Sequence, residues 1–134
     1  VARQNCERHG VGSRVHLCQG DLLSPVPEPV DLIVANLPYI ARGEWEALAP
    51  EIRCFEPVGA LDGGPDGLTS IRRLLAQASE RLTWTATLLL EIGATQGPAV
   101  LQLARSHFPE AEVHVKPDYA GLDRIVTVHY EPQI

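Results

Sequence analysis

Hydrophobic and polar positions along the chain predict alternating helices and strands. Residues 1–9 carry a helical pattern closed by Gly10, and residues 14–18 alternate as a strand. A proline-rich link leads to the apolar run of residues 30–35, which predicts a buried strand ending at Asn36. The continuous apolar run of residues 88–92 is typical of a strand covered on both faces in a parallel sheet.

A segment whose apolar residues have helical spacing lies between these two apolar runs. The apolar positions that form a core-facing stripe are Ile71, Leu74, Leu75, Ala78 and Leu82. Thr69 or Ser70 is expected to cap this helix, and Pro98 suits the first turn of another helix through residue 107. Two strands, residues 112–116 and 124–130, follow with a loop short enough for antiparallel pairing. This order predicts an α/β sheet with an antiparallel last strand.

The connection over residues 40–66 has the weakest periodicity in the chain. A short helical piece is expected over residues 44–48, followed by prolines and a glycine-rich turn over residues 62–67. The glycines of this turn are interpreted as loop geometry. Four large apolar residues indicate that the connection packs against the domain: Trp45, Leu48, Ile52 and Phe55.

Composition narrows the classes of partner. The chain has 134 residues, 45% hydrophobic and 21% charged, which suits one domain, and no apolar stretch is long enough to cross a bilayer. A formal net charge of -6 disfavours nucleic acid as a partner, because no basic field is available for phosphates. The odd number of cysteines, without paired metal-type spacing, favours reduced thiols in the cytoplasm.

Histidine placement gives no reason to expect a metal. His16, His114 and His129 fall within alternating strand patterns, where they are expected on the sheet surface. No metal ligand is assigned.

The strongest chemical signal is the run Asn36-Leu37-Pro38-Tyr39, directly after the first apolar strand. Open α/β sheets bind ligands at the carboxyl ends of their strands. An Asn followed by Pro and Tyr in one turn can present two carbonyl acceptors and a ring face, which together suit a planar NH2 group. The sequence therefore indicates amino-group methylation; the alternative is an Asn-Pro turn with a structural role alone.

Further motifs occur in a fixed order along nearly the whole chain. They are Asn5 with Arg8-His9-Gly10, Gly20-Asp21-Leu22, residues 31–40, Glu56-Pro57, Ala60-Leu61, Gly63-Gly64, Asp66-Gly67-Leu68, Glu91-Ile92-Gly93 with Gln96, Asp118 with Ala120-Gly121, and Asp123-Arg124. With these motifs the chain resembles the HemK/PrmC protein-glutamine N5-methyltransferases, which use S-adenosyl-L-methionine to methylate a glutamine in peptide chain release factors. The Asn-x-Pro-Tyr element alone is shared with adenine-N6 methyltransferases of DNA and RNA.

The resemblance implies a catalytic and substrate-binding role for four residues. The Asn36 side-chain oxygen would accept one hydrogen of the target carboxamide, and the Leu37 backbone carbonyl would accept the other. Pro38 would hold the turn, and Tyr39 would line the planar amide or stack on it. The family usually has Pro at the position of Leu37, so the turn here loses one fixed φ angle.

The resemblance also implies roles for two further groups of residues. Glu56 and Pro57 would shape the substrate side of the pocket. Asp21 and Leu22, together with Asn36, would contact the cofactor S-adenosyl-L-methionine. An aromatic residue is common in the family where this chain has Leu22, and Asp21 has the alternative interpretation of a strand-end turn residue.

Cofactor binding in this fold depends on a glycine-rich turn after the first strand and an acidic residue after the second. Neither feature is found in the sequence. We therefore expect residues 1–134 to form a partial catalytic domain, a Rossmann-like methyltransferase fold truncated at the N-terminus, which does not bind cofactor unaided. Unpaired sheet edges would then favour a homodimer.

Three functions stay open from the sequence. The first is protein-glutamine methylation of a release factor, the second adenine-N6 methylation of DNA or RNA, and the third a non-catalytic fragment or substrate-binding module. Net negative charge favours the first over the second.

Overall fold

The computed structural model describes residues 1–130, apart from the side chain of Trp84. Its elements, in chain order, are α1 (Ala2–Arg8), β1 (Val30–Asn36), a 3-10 helix (Arg42–Ala47), α2 (Pro50–Phe55), α3 (Val58–Leu61), α4 (Thr69–Ala78), β2 (Leu82–Glu91), α5 (Gly97–His107), β3 (Glu112–Pro117) and β4 (Asp123–His129). No helix within residues 1–130 has the length and apolar character needed to cross a membrane.

The four strands form one mixed sheet in the order β1-β2-β4-β3. β1 and β2 are parallel, and α4 lies between them in the chain, as a crossover connection requires. β4 is antiparallel to both of its neighbours, β2 and β3. The predicted α/β class with an antiparallel last strand is therefore confirmed.

The hydrophobic core lies between one face of this sheet and the helices α4 and α5. The strands and α5 contribute these residues to the hydrophobic cluster, with Phe108 directly after α5: Ile33, Leu88, Leu90, Val113, Val126, Val128, Val100 and Ala104. They pack with Ile71, Leu74, Leu75 and Ala78 of α4, as the helical stripe predicted. Leu82, the fifth residue of that stripe, instead begins β2.

The start of α4 differs from the prediction that Thr69 or Ser70 caps it. Leu68 is the N-cap residue and makes no side-chain capping bond. The preceding loop supplies the acceptors, because the Leu68 N–H donates to Asp66 Oδ1 at 3.2 Å and the Thr69 N–H donates to the Gly63 carbonyl at 2.9 Å. With these amides satisfied, a hydroxyl cap is not needed.

Residues 14–18 are not a strand, so that prediction was wrong. The chain turns at residues 12–14 and runs without regular secondary structure through residue 19. Alternation alone does not make a strand, because its backbone groups need a neighbouring strand to complete the ladder. His16 is therefore not a sheet residue, whereas His114 and His129 lie in β3 and β4 as predicted.

The connection after β1 contains more helix than predicted and is less packed. The expected helical piece is confirmed as the 3-10 helix, and Trp45 and Leu48 are half-buried. Ile52 and Phe55 are exposed on α2, Phe55 to 86%, so the prediction of packing was wrong for these two residues. No core element covers this face of α2 among the described residues.

The strands β1 and β2 are buried on one face only. In β1 just Ile33 is buried, and Leu32 and Val34 on the opposite face are 55% and 71% exposed. In β2, Leu88 and Leu90 are fully buried while Leu89 is half-buried. The sequence predicted a buried strand ending at Asn36 and, over residues 88–92, a strand covered on both faces. Each is buried on one face only, because α4 and α5 pack on the same side of the sheet and β1 is an edge strand.

We expect self-association through the outer edge of β1, which has no strand partner among residues 1–130 except β2. Val34→Lys should shift the chain toward monomer in sedimentation experiments, because a charged residue on an edge disfavours strand pairing. Phe55→Lys, at an exposed apolar position of α2, is the matched control and should leave association unchanged. A wild-type chain that stays monomeric as its concentration is raised would contradict this expectation.

Candidate functional site

The predicted turn lies at the carboxyl end of β1. Asn36 pairs in register with Glu91, the last residue of β2, and its side chain is exposed. Within residues 1–130, no hydrogen bond engages the Asn36 carboxamide or the Leu37 carbonyl. Leu37 is half-buried against the core, which fixes its backbone while its carbonyl stays available as an acceptor.

Beyond this turn, Tyr39 lines a cleft of about 400 Å³. The other lining residues come from the 3-10 helix and the residues next to it, from the glycine-rich loop, and from the segment after β2. They are Ile40, Ala41, Glu44, Ala47, Leu48, Asp66, Gly93, Ala94, Thr95 and Gln96. The Tyr39 ring lies over Gly93, since a Cβ added there would meet Tyr39 Cδ2 at 3.4 Å. Tyr39 therefore forms a wall between the turn and the end of β2.

Gln96 joins three segments around this wall. Its Nε2 donates to the Tyr39 carbonyl at 2.9 Å and to the Gly67 carbonyl at 3.3 Å. Its Oε1 accepts the Gly93 N–H at 2.9 Å. The side chain is half-buried at the N-cap position of α5, so one carboxamide connects the turn, the glycine-rich loop and the end of β2.

The glycine-rich loop runs along the same turn. Ile40 forms a parallel bridge with Asp62, its N–H donates to the Leu61 carbonyl at 3.0 Å, and its carbonyl accepts the Gly63 N–H at 2.9 Å. Gly67 has a φ of 75°, and a Cβ there would collide with the Tyr39 carbonyl oxygen and lie 2.6 Å from Gln96 Nε2. This glycine is required both by its backbone conformation and by the close approach of the turn.

Two carboxylates fix the loop electrostatically. Arg72 of α4 holds both oxygens of Asp66, at 3.0 Å and 2.6 Å, and together with the Leu68 N–H it lowers the Asp66 pKa to about 2. The Gly64 N–H, at 2.8 Å, and then Arg42 lower the pKa of Asp62 from its usual value. Both groups are therefore anionic at neutral pH and serve the loop's own geometry.

The residues predicted to contact cofactor lie apart from the cleft. Asp21 forms an ion pair with Arg73 of α4. Leu22 has a φ of 52°, a left-handed conformation that few residues other than glycine adopt, and it packs partly against the core. Neither residue lines the cleft. Their role in holding S-adenosyl-L-methionine stays a prediction.

The predicted substrate-side pair is also separate from the cleft. Glu56 directly follows α2 and Pro57 directly precedes α3, and both are exposed. The structure thus brings together Asn36, Leu37, Pro38 and Tyr39 by chain continuity, and it adds the cleft beside Tyr39, but Glu56 and Pro57 do not line that cleft. Their substrate role stays a prediction.

The glycine-rich loop is closed by its own packing. The space above Gly63 and Gly67 is filled by Tyr39 and by the loop itself, so these glycines do not leave room for a phosphate or a ribose. The Asp21 carboxylate is engaged by Arg73. No group of three or more His, Cys, Asp or Glu side chains with metal-binding geometry occurs among residues 1–130.

Sequence reasoning gave no role to Gln96 beyond its place in a motif. Its position three residues after Gly93, immediately before a helix, is the signal that was available. The long-range partners of its side chain, the carbonyls of Tyr39 and Gly67, could not be read from local spacing.

Curated proteins of related sequence show what kind of protein the chain resembles. No family model matches the chain. Curated relatives align with nearly all of it: one from Gloeobacter violaceus is 42% identical over 130 residues, and one from Cereibacter sphaeroides is 47% identical over 127 residues. These alignments cover 96% and 95% of this chain, but only 46% and 45% of the relatives.

Both relatives are named release factor glutamine methyltransferase. The resemblance to the protein-glutamine N5-methyltransferases is therefore confirmed, and the chain spans about half the length of the curated relatives it matches. A crystal structure of a release factor-specific protein-(glutamine-N5) methyltransferase from Alicyclobacillus acidocaldarius is 33% identical, with a TM-score of 0.45 over 51% of this chain and 43% of that one.

We expect Gly67→Ala to destabilise the chain more than Gly121→Ala. Both glycines have a positive φ, 75° and 82°, but only Gly67 has atoms of Tyr39 and Gln96 where the new methyl would lie. The extra loss in unfolding free energy should be at least about 1 kcal/mol, measured by chemical denaturation. Equal losses for the two variants would show that Gly67 does not pack against the turn.

Acid should weaken the loop through Asp66. Its pKa is about 2 in the fold, below the ordinary value of 3.8, so its ion pair stabilises the fold above pH 3.8 and that contribution is lost as the pH falls toward 2. Asp66→Asn should therefore lower stability at neutral pH, and the difference from wild type should shrink between about pH 5 and about pH 2. Glu51→Gln, on exposed α2, is the control; a pH-independent difference for Asp66→Asn would contradict the assignment.

Proposed function

We propose that this chain supplies the amide-binding part of an S-adenosyl-L-methionine-dependent protein-glutamine N5-methyltransferase that acts on peptide chain release factors. The single observation that carries the proposal is the arrangement at the carboxyl end of β1. An exposed Asn36 carboxamide and an available Leu37 carbonyl come directly before Tyr39, which lines an open cleft. The names of the relatives support the choice of substrate.

A glutamine side chain presents the chemistry that this turn suits. Its NH2 group has two hydrogens, which the Asn36 side-chain oxygen and the Leu37 carbonyl would accept. The amide nitrogen is a poor nucleophile because its lone pair is delocalised into the carbonyl. Oxygen acceptors placed at its hydrogens favour the charge that develops on nitrogen during attack, so they stabilise the transition state more than the ground state.

Tyr39 and Pro38 would position the amide plane. The Tyr39 ring is held over Gly93 and gives a flat wall beside the acceptors. Pro38 limits the backbone angles of the turn, which keeps the two acceptor oxygens in a fixed relation. Holding the amide in one orientation lowers the entropic cost of attack on a methyl carbon.

S-adenosyl-L-methionine, when bound, supplies an electrophilic methyl group. The residues that would help to hold it here are Asp21, Leu22 and Asn36. Since Asp21 is paired with Arg73 and the glycine-rich loop is filled by its own packing, we propose that this chain by itself does not bind the cofactor. Its contribution is then to recognise and orient the amide. After alkylation, the nitrogen proton is acidic enough to be lost to water.

Amide binding can be tested by nuclear magnetic resonance with N-acetyl-glutamine-N-methylamide as the probe. Shifts should appear at Asn36, Leu37 and Tyr39, and the matching glutamate compound should give none, because its carboxylate lacks N–H donors. Asn36→Ala should weaken binding about fivefold, the value of one hydrogen bond. Asn5→Ala, the other asparagine of the chain, is the control.

The reaction itself is tested with a full-length version of the protein, a release factor and S-adenosyl-L-methionine: mass spectrometry should find a new methyl group on glutamine, whereas the chain by itself should transfer none. Calorimetry with the cofactor alone should give no saturable heat, and a saturable signal would overturn the proposal that the chain does not bind it unaided. Methyl transfer to adenine, without transfer to glutamine, would overturn the proposed substrate. Equal binding of the glutamine and glutamate probes would overturn the amide site.

A further inference from the structure

Gln96 is the side chain that connects the candidate amide-binding turn to the rest of the fold. Its carboxamide uses both ends: Nε2 donates to the carbonyls of Tyr39 and Gly67, and Oε1 accepts the Gly93 N–H. Three bonds of 2.9, 3.3 and 2.9 Å therefore meet at one half-buried group. None of its partners is close to it in sequence except Gly93.

The two ends of this carboxamide have different roles. The bond from the Gly93 N–H closes the short turn before α5, and any acceptor of the right length could replace it there. The bonds from Nε2 reach 57 and 29 residues back along the chain, to the Tyr39 and Gly67 carbonyls. Carbonyl oxygens are acceptors, so only a donor can bond to both of them. Neither carbonyl belongs to α5, so the Nε2 end has no role in starting the helix.

Gln96 fixes the C-terminal end of the turn through the Tyr39 carbonyl. At the N-terminal end of the turn, Asn36 is held in register with Glu91 at the end of β2. Both anchors belong to the same segment, because Gln96 follows β2 after a short turn. Residues 37 and 38 are thus held between two attachments, and the direction of the Leu37 carbonyl depends on both.

We propose that Gln96 is a positioning residue, whose side-chain N–H groups hold the Tyr39 carbonyl so that the acceptors of Asn36 and Leu37 face an incoming carboxamide. This inference rests on the proposed function. Gln96 lines the cleft beside Tyr39, but its polar atoms are engaged by the protein, so it acts through the turn. Loss of its donors should weaken amide binding without unfolding the chain.

The variant Gln96→Glu tests the donor end of the carboxamide separately from its acceptor end. A carboxylate keeps the acceptor for the Gly93 N–H but places negative charge against two carbonyl oxygens, which releases the Tyr39 anchor. The two carbonyls disfavour the charged form of the introduced carboxyl, whereas the Gly93 N–H favours it, so the pH at which the carboxyl is protonated is read from the pH dependence of binding itself. Once protonated, the carboxylic acid has the shape of the carboxamide and one O–H donor, so acid should restore the bond to Tyr39.

The measurement is the affinity for N-acetyl-glutamine-N-methylamide from about pH 8 down to about pH 4, just below the ordinary Glu pKa, with the wild type at each value. Gln96→Glu should bind about tenfold more weakly at the higher pH, as expected for lost donors, and return to within about twofold of wild type at the lower pH. Gln96→Met, which has no donor, should be weak at both. Glu44 and Asp66 also line the cleft, and the wild-type series accounts for their charge.

Amide hydrogen exchange gives a second readout that does not depend on ligand. In Gln96→Glu at the higher pH, the Ile40 and Gly63 N–H groups should exchange faster while the Gly93 N–H stays protected. In Gln96→Met all three should exchange faster. Gln102→Glu, at an exposed position of the same helix α5, is the matched control and should change neither exchange nor binding.

The outcomes distinguish the two proposals. If the wild type does not bind the glutamine probe, the proposed function fails, while exchange still tests whether Gln96 holds the turn. If the wild type binds and Gln96→Glu binds equally well at the higher pH, Gln96 is not a positioning residue. The positioning role is also overturned if exchange at Gly93 rises together with that at Ile40 in Gln96→Glu, since the side chain would then only support the helix start.

Discussion

The carboxamide of Gln96 is the interaction on which the candidate site depends. It ties the Tyr39 carbonyl, the Gly67 carbonyl and the Gly93 N–H to one point at the start of α5. Without it, the turn after β1 would lose its hydrogen bond to the segment that follows β2. The tight loop around Gly67 follows from the same bonds, since the Tyr39 carbonyl and Gln96 Nε2 occupy the space where a side chain would lie.

One-sided burial of the sheet explains the rest of the architecture. α4 and α5 cover one face, so in β1, β2 and β3 the residues next to a core residue along the strand are exposed or half-buried. β1 is an edge strand of this sheet, which leaves Leu32 and Val34 at the surface. Asn36 lies on that same open face, two residues further along, so the alternation that exposes these apolar residues also exposes the candidate acceptor.

The sequence predicted what depends on local periodicity and on motif order. The stripe of Ile71, Leu74 and Leu75 predicted α4, and Pro98 predicted the start of α5, because burial of a helical face requires that spacing. The prediction failed at residues 14–18, where alternation suggested a strand that has no neighbour in the described fold, and at Phe55, whose apolar side chain is exposed. In both cases the outcome depended on whether another element of the fold pairs with or packs against these residues.

The sequence alone therefore determined the order of β1, α4, β2, α5, β3 and β4, the antiparallel pairing at the end of the chain, and the polar turn from Asn36 to Tyr39 at a strand's carboxyl end. Only the tertiary structure decided which face of each strand is covered, that Asp21 pairs with Arg73, and that Gln96 reaches the carbonyl of Tyr39. The physical reason is the distance along the sequence over which each interaction acts. Periodicity and turn chemistry act over a few residues, whereas burial and these hydrogen bonds join groups about fifty residues apart, whose meeting is set by the packing of the whole chain.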